Sequence, residues 1–459
     1  MENKRSSFSG RLGFVLAAAG SAVGLGNIWR FPYLAAKYGG GMFLVCYVAL
    51  AVTFGFALML AEIAIGRKTG LSAIGAFASI NKKFAFVGIL GAVIPTIILP
   101  YYSVIGGWVL KYFSGFVSGR ASAMADDAYF SGFIGSTVEP IIWFALFIAF
   151  TAAIVLLGVD KGIEKVSKIM MPSLILLVLF VSIYSIVTLD GAWEGVVYYI
   201  KPDLSSFSLM TVVAALGQLF YSMSIAMGIL ITYGSYMKKD VSIEKSVHHV
   251  ELFDTGVAFL AGLMIIPAVF AFSGGDKSAL GQGPGLMFVT LPKVFDSMPG
   301  GTVIGAIFFL MVFFAALTSS ISLMETVVSI VCDKFKWGRK TACLAITFFS
   351  LAVGVTAALG YSAWSGFEVL GMQLLDLYDF ISNSLLMPIV ALFTCVFVGY
   401  VIKPSAIIEE VELPGDSGKP MHLFKAKRLF SIMIKFVAPI FILLILTSSI
   451  LSAFGIIKI

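Results

Sequence analysis

Residues 11–33, R-L-G-F-V-L-A-A-A-G-S-A-V-G-L-G-N-I-W-R-F-P-Y, decide how the rest of the chain is read. The run begins as a membrane-crossing helix and then breaks its own pattern. Gly20, Gly24 and Gly26 fall within seven residues, next to Asn27 and shortly before Arg30 and Pro32. Glycine in a helix interior costs about 1 kcal/mol relative to alanine, so three together invite unwinding. Unwound backbone at membrane depth survives only where it lines a cavity or is buried in protein. A second run, residues 217–228 (G-Q-L-F-Y-S-M-S-I-A-M-G), carries the same defect. Paired interruptions five spans apart point to two inverted repeats with a binding site between them. A small-residue packing motif, Gly20-x-x-x-Gly24, is the alternative for the first run. Packing alone accounts for neither Asn27 nor the matching break.

The composition around these runs is that of a membrane protein. Of 459 residues, 59% are hydrophobic and only 12% are charged, and the mean hydropathy is +1.00. Soluble domains are about 45–50% apolar and about 25% charged. The charge deficit excludes a disordered chain, a nucleic-acid binder and nearly all soluble enzymes. With about 20 apolar residues per crossing, spans are expected near 12–36, 41–66, 86–116, 139–159, 169–189, 208–236, 250–272, 301–331, 341–360, 377–401 and 430–455. The expected fold is an all-α polytopic bundle of eleven spans.

Charge placement sets the orientation. With the N-terminus inside, alternate connections place 22 of the 31 Lys and Arg in the cytoplasm and 7 outside, as the positive-inside rule requires. An odd number of spans puts the C-terminus outside. No cleavable signal peptide is visible ahead of the first run. Cys46, Cys332, Cys343 and Cys395 lack ligand-like spacing and read as core thiols. His248, His249 and His422 fall in polar connections, so a histidine-dependent intramembrane enzyme is hard to build. The outer connection near 273–300 is rich in Gly and Pro and is expected to fold back as a lid. The stretch 403–428, with Glu409, Glu410 and Glu412, reads as a solvated loop without function. The chain then divides into a cytoplasmic segment 1–10, five spans in 11–189, five more in 208–402, the cytoplasmic loop 403–428, and a last span with a short external tail in 429–459.

The first run, extended through L-A-A-K-Y-G-G-G-M-F, closely resembles the first-span signature of the neurotransmitter:sodium symporter family, particularly its bacterial amino-acid transporters of the LeuT fold. G-Q-L-F-Y-S-M-S at 217–224, F-F-A-A-L-T-S-S-I-S at 313–322 and L-D-L-Y-D-F at 375–380 match as well. The likeness runs from residue 5 to about 400. Many relatives have twelve spans where eleven are expected here, which leaves the ten-helix core intact.

The resemblance implies a function and a site. Sodium site one would use Ala22, Asn27, Ser222 and Asp254; site two would use Gly20, Val23, Ala315, Thr318 and Ser319. An Asp in an apolar segment is expensive and functional by default. By resemblance, Asp254 also supplies the fixed charge that makes chloride dispensable, since Ala258 one turn on brings no acid. The substrate would meet Ser21, Ala22, Leu25, Gly26, Ile98, Tyr102, Tyr221, Ser222, Ser224, Met227, Ser319 and Leu323. Relatives that carry monoamines place an Asp where this chain has Gly24, so the substrate here should bring its own carboxylate. Arg30 and Asp379 would form an outer gate, with Gln218 holding Arg30. Arg5 and Asp333 would form an inner gate, backed by Tyr236 and plugged by Phe8. Glu62 would brace the broken sixth span, and Gly162 with Pro172 would form a hinge in the fifth. The implied activity is symport of a neutral, hydrophobic or aromatic L-amino acid with two sodium ions. The expected partners are that amino acid, sodium and the lipid bilayer, with no nucleic acid and no obligate protein. A binding protein or sensor that kept the sites but lost transport, or a symporter of a different small carboxylate-bearing substrate, is the runner-up.

Overall fold

Helices follow the apolar runs in the computed structural model, which describes residues 7–276, 283–413, 420–454 and 456. Among the described residues, nine continuous helices are long and apolar enough to cross a membrane: Gly41–Thr69, Lys82–Val117, Glu139–Leu156, Val159–Thr188, Ile243–Phe272, Gly301–Phe335, Arg339–Leu359, Leu374–Val401 and Lys427–Ala453. Arg11–Ala22 and Gly26–Lys37 make a tenth crossing, bent by 57° at its break. The remaining expected span arrives in two pieces, Leu209–Ser222 and Ile229–Gly234, neither long enough to cross alone. In chain order these segments fall where the eleven spans are expected from hydropathy, and ten of them qualify as crossings among the described residues.

The two breaks are built differently. In the first span the helix stops where Val23 turns extended, at φ −72° and ψ 101°. The Asn27 Oδ1 atom then accepts the Gly24 amide, a donor that a continuous helix would have used internally. In the sixth span Ser224 and Ala226 sit at φ 53° and 64°, and Gly228 at 71°. Only glycine adopts that region without cost, so two non-glycine residues there need outside support. Glu62 of the second span supplies it, its Oε1 accepting the Ala226 amide at 2.7 Å. A carbon added at Gly66 or at Gly234 would collide with backbone of the facing segment, so the second span and the 229–234 helix touch main chain to main chain.

The third and eighth spans lie side by side at the centre, and the first packs on the seventh and eighth. Burial sorts the helices into a core and a rim. The most apolar stretch of the second span is 67% buried, against 33% for the ninth and eleventh and 39% for the fourth and fifth. Rim helices turn Ile142, Leu146, Phe150, Leu176, Ile183, Phe348 and Leu444 outward, as lipid-facing surface requires.

Two expectations change, on the 403–428 stretch and on the histidines. The 403–428 stretch is not a plain solvated loop: Lys403–Val411 is helical, and Glu410 is buried against Arg67 and Lys239. An acid in a sequence cluster becomes a structural tie because Arg67, 3% exposed, would otherwise be a stranded charge. His248 and His249 belong to the seventh helix, and His248 stacks on Phe56 at 4.7 Å. In the 273–300 connection, residues 277–282 lie outside the described residues, while Leu286–Thr290 and Leu291–Ser297 are helical and bury Leu286, Met287 and Phe288.

Candidate functional site

Where the two broken spans face each other, a tight cavity of about 40 Å³ lies against the third, eighth and tenth spans. Its walls include all twelve residues expected to meet the substrate: Ser21, Ala22, Leu25, Gly26, Ile98, Tyr102, Tyr221, Ser222, Ser224, Met227, Ser319 and Leu323. Gly24, Asn27, Ile229 and Asn383 complete the lining, which contains no Asp, Glu, Lys, Arg or His. The Leu25 amide donates to the Tyr102 hydroxyl at 3.3 Å, and Ser224 Oγ lies 3.0 Å from both Ser21 Oγ and the Ser21 carbonyl. One wall therefore offers polar groups and another offers aliphatic and aromatic surface. Two helices end here, at Ala22 and Ser222, and their last carbonyls and the negative ends of their dipoles favour positive charge at the breaks. A carbon added at Gly24 would meet Ser319 Oγ at 2.9 Å and the Tyr102 hydroxyl at 3.0 Å. That position has no room for an acidic side chain unless both neighbours move.

Beside the cavity, Asp254 gathers polar groups from three other spans. Asn27 Nδ2 donates to its Oδ1 at 2.7 Å, Tyr47 to its Oδ2 at 3.1 Å and Ser222 Oγ to its Oδ2 at 3.2 Å. Asp254 is fully buried, so it is not a helix-end carboxylate facing water. It also sets the Asn27 amide: the NH₂ group faces the carboxylate, leaving Oδ1 toward the break. A second oxygen cluster forms at the eighth span. Ser319 Oγ reaches the carbonyls of Gly20, Ser21 and Val23 at 3.1–3.3 Å. Thr318 Oγ1 lies 3.1 Å from the Ala315 carbonyl, and its side chain faces Gly20, where an added carbon would come within 3.2 Å. Both sets consist of carbonyl, amide, hydroxyl and carboxylate oxygens, the hard donors that alkali and alkaline-earth cations prefer.

The outer end departs from expectation. No ion pair joins Arg30 to Asp379. The Arg30 guanidinium lies over the Tyr221 ring at 5.1 Å, while Asp379 Oδ1 takes hydrogen bonds from Tyr101 and Asn383. Gln218 does not hold Arg30; its Nε2 donates to the Gly26 carbonyl at 3.0 Å and so braces the broken first span. A cavity of 510 Å³ lies outside, lined by Trp29, Arg30, Tyr101, Asp376 and Asp379 among others.

The inner end is packed. Phe8 is 1% exposed and meets Phe14, Tyr233 and Tyr236 edge-on, and its amide donates to the Tyr236 carbonyl. Arg5 lies outside the described residues, and with it the pairing to Asp333, whose Oδ2 accepts the Ser72 amide. The Tyr236 hydroxyl donates to Glu325, which stands fully buried and is also bound by Arg339. The fifth span runs as helix through both Gly162 and Pro172 and is not unwound.

Several residues escaped sequence reasoning. Tyr47, Glu325 and Asn383 are single polar residues in apolar spans, and that is the signal that marked Asp254. Glu164 shows no such pattern, yet it binds the Ser9 amide at 2.8 Å, the Ser9 hydroxyl and Lys168.

Known proteins share this arrangement. The sequence profile of the Sodium:neurotransmitter symporter family matches residues 5–126 and 132–456. The uncharacterized sodium-dependent transporter YhdH of Bacillus subtilis is 33% identical over 449 residues, 97% of each chain. The sodium- and chloride-dependent GABA transporter 2 of Bos taurus is 26% identical, covering 83% of this chain and 70% of its own. The crystal structure of MhsT in complex with L-phenylalanine superposes with a TM-score of 0.86 at 37% identity, covering 97% of this chain and 100% of that one. The fold is thus the LeuT fold that the broken spans implied.

Proposed function

We propose that this chain, which belongs to the sodium:neurotransmitter symporter family and so is a sodium-dependent multi-pass symporter and not an enzyme, imports neutral apolar or aromatic L-amino acids. The observation that carries the reading is the lining of the central cavity: free of Asp, Glu, Lys, Arg and His, and closed at Gly24 by Tyr102 and Ser319. An ionic side chain would be stranded there, because burying an unpaired charge is prohibitively costly. A substrate carboxylate would sit at the start of the outer half of the first span, near the Leu25 and Gly26 amides, where the dipole favours an anion. Its ammonium would meet the carbonyls at the ends of the two inward-pointing breaks. MhsT, to which the chain is similar, is described with L-phenylalanine bound, which favours the same chemical class.

Two sodium ions would complete the site. One would use Ala22, Asn27, Ser222 and Asp254, and the other Gly20, Val23, Ala315, Thr318 and Ser319. Each charge crossing 100 mV releases about 2.3 kcal/mol, and a tenfold gradient adds about 1.4 kcal/mol. Two ions then supply roughly 7 kcal/mol, enough for about a 10⁵-fold gradient of a net-neutral substrate. The buried Asp254 carboxylate would serve as the fixed anion, so chloride would be dispensable. The N-terminus would face the cytoplasm and the C-terminus the outside, as the lysine and arginine distribution favours.

The test is uptake of labelled phenylalanine or leucine into sealed vesicles of the purified protein. Uptake should require an inward sodium gradient, persist when gluconate replaces chloride, and be blocked by tryptophan but not by tryptamine, lysine or glutamate. Blockage by tryptamine would defeat the carboxylate argument, and loss of uptake without chloride would defeat the role given to Asp254.

A further inference from the structure

Among the side chains that line the central cavity, Asn383 stands apart. It lines the outer cavity as well, and it comes from the tenth span one turn after Asp379. Its amide orientation follows from chemistry. The Nδ2 atom donates to Asp379 Oδ1 at 2.6 Å and to the Tyr101 hydroxyl at 2.9 Å. Tyr101 gives its own hydrogen to the same carboxylate oxygen, so it can only accept from Asn383. Turning the amide round would set its carbonyl oxygen against the carboxylate. The NH₂ end is therefore committed to the outer side, where Asp379 and Tyr101 line the outer cavity. The Oδ1 atom is left over: it is buried and accepts no hydrogen bond. No other side-chain atom in the cavity lining is in that condition among the described residues.

A buried acceptor without a partner is costly. Such a group discriminates strongly between a ligand that satisfies it and an analogue that does not. We infer that Asn383 Oδ1 is a specificity contact that accepts a hydrogen bond from a donor on the substrate's aromatic ring, the indole N–H of tryptophan or the phenol O–H of tyrosine. This rests on the amino-acid reading above and narrows it. The apolar side chains of Ile98, Met227 and Leu323 hold the ring, and Asn383 reads its polar edge from the outer side. Leucine and phenylalanine enter the same cavity but leave Oδ1 unsatisfied.

The test compares tryptophan with 3-(benzothiophen-3-yl)alanine, which has nearly the same shape and no ring N–H, by competition against labelled leucine in sodium buffer. Wild-type protein should prefer tryptophan by about five- to tenfold, the worth of one neutral hydrogen bond. In Asn383→Leu the ratio should fall to within twofold of unity. A role confined to holding Asp379 would weaken both ligands together and leave their ratio unchanged, which overturns the inference. A wild-type ratio below two overturns it without recourse to any variant. If leucine itself fails to bind, the amino-acid reading falls, and this inference falls with it.

Discussion

The two ends of the transport path are built unequally. Toward the cytoplasm, Phe8 is sealed among three aromatic rings, Ser9 is tied to Glu164, and the buried Glu325 is shared by Tyr236 and Arg339. Toward the outside, Arg30 and Asp379 face a 510 Å³ cavity without pairing, and the thin roof over the substrate space is the Tyr221 ring with Arg30 upon it. The difference teaches where the work of the cycle lies. An end held by buried aromatic packing and an ion pair to a fully buried acid opens only at considerable cost, whereas Arg30 and Asp379, half-buried and unpaired, have no such tie to break. The inner end is thus the one whose opening has to break packing and a buried ion pair. The connecting elements are the two broken spans, which reach both ends.

Substitutions should expose the imbalance. Phe8→Ala removes the plug of the inner end and should cost about 3–5 kcal/mol, as truncating a buried aromatic does. Amide hydrogen exchange along Gly13–Ala17 should accelerate, and unchanged exchange would show that the inner end does not depend on this ring. Glu325→Gln leaves the Arg339 guanidinium beside a neutral amide at the same depth. The expected loss is about 3 kcal/mol, the low end for breaking a buried pair because Arg339 keeps the Val155 carbonyl. A thermal-unfolding midpoint in detergent within error of wild type would contradict it. Glu164→Ala frees the Ser9 amide and should loosen the N-terminal segment by about 1.5–3 kcal/mol, the range for hydrogen bonds to a charged group. Limited proteolysis near Ser9 should speed up while sodium affinity stays constant. At the outer end, Arg30→Gln should change stability by less than about 1 kcal/mol. It should leave exchange in the inner half untouched and shorten only the residence time of bound substrate. A large stability loss there would erase the contrast between the ends.

Much of the site was legible because each break is a local contradiction in the sequence. Three glycines around an asparagine in an apolar run cannot form a good helix, and Asp254 in such a run cannot be solvated, so both announce themselves. The twelve cavity-lining positions came through likeness to a family, since any one of Ile98, Met227 or Leu323 reads by itself as ordinary packing. The partners of Gln218 and Glu410 were misread for one reason. A polar side chain's reach covers several backbone and side-chain groups, and only the packed arrangement decides which it meets. Gln218 could reach Arg30 or the Gly26 carbonyl, and it is the carbonyl, which already accepts the Phe31 amide in the first turn of the outer half-helix, that takes the side-chain amide.

Apolar run lengths, the lysine and arginine bias and the two interruptions determined from sequence alone that this is a polytopic helical protein with a site at paired breaks. Those features are local, and the bilayer enforces them residue by residue, since unsatisfied backbone and unpaired charge are not tolerated in lipid. What only the tertiary structure decided is which orphan group meets which partner: Glu62 on Ala226, Glu164 on Ser9, Tyr47 on Asp254, and the Asn383 carbonyl on nothing at all. These pairs lie from 155 to 207 residues apart along the chain wherever a partner exists. Their distances are set by how helices pack against one another, and no local pattern encodes that.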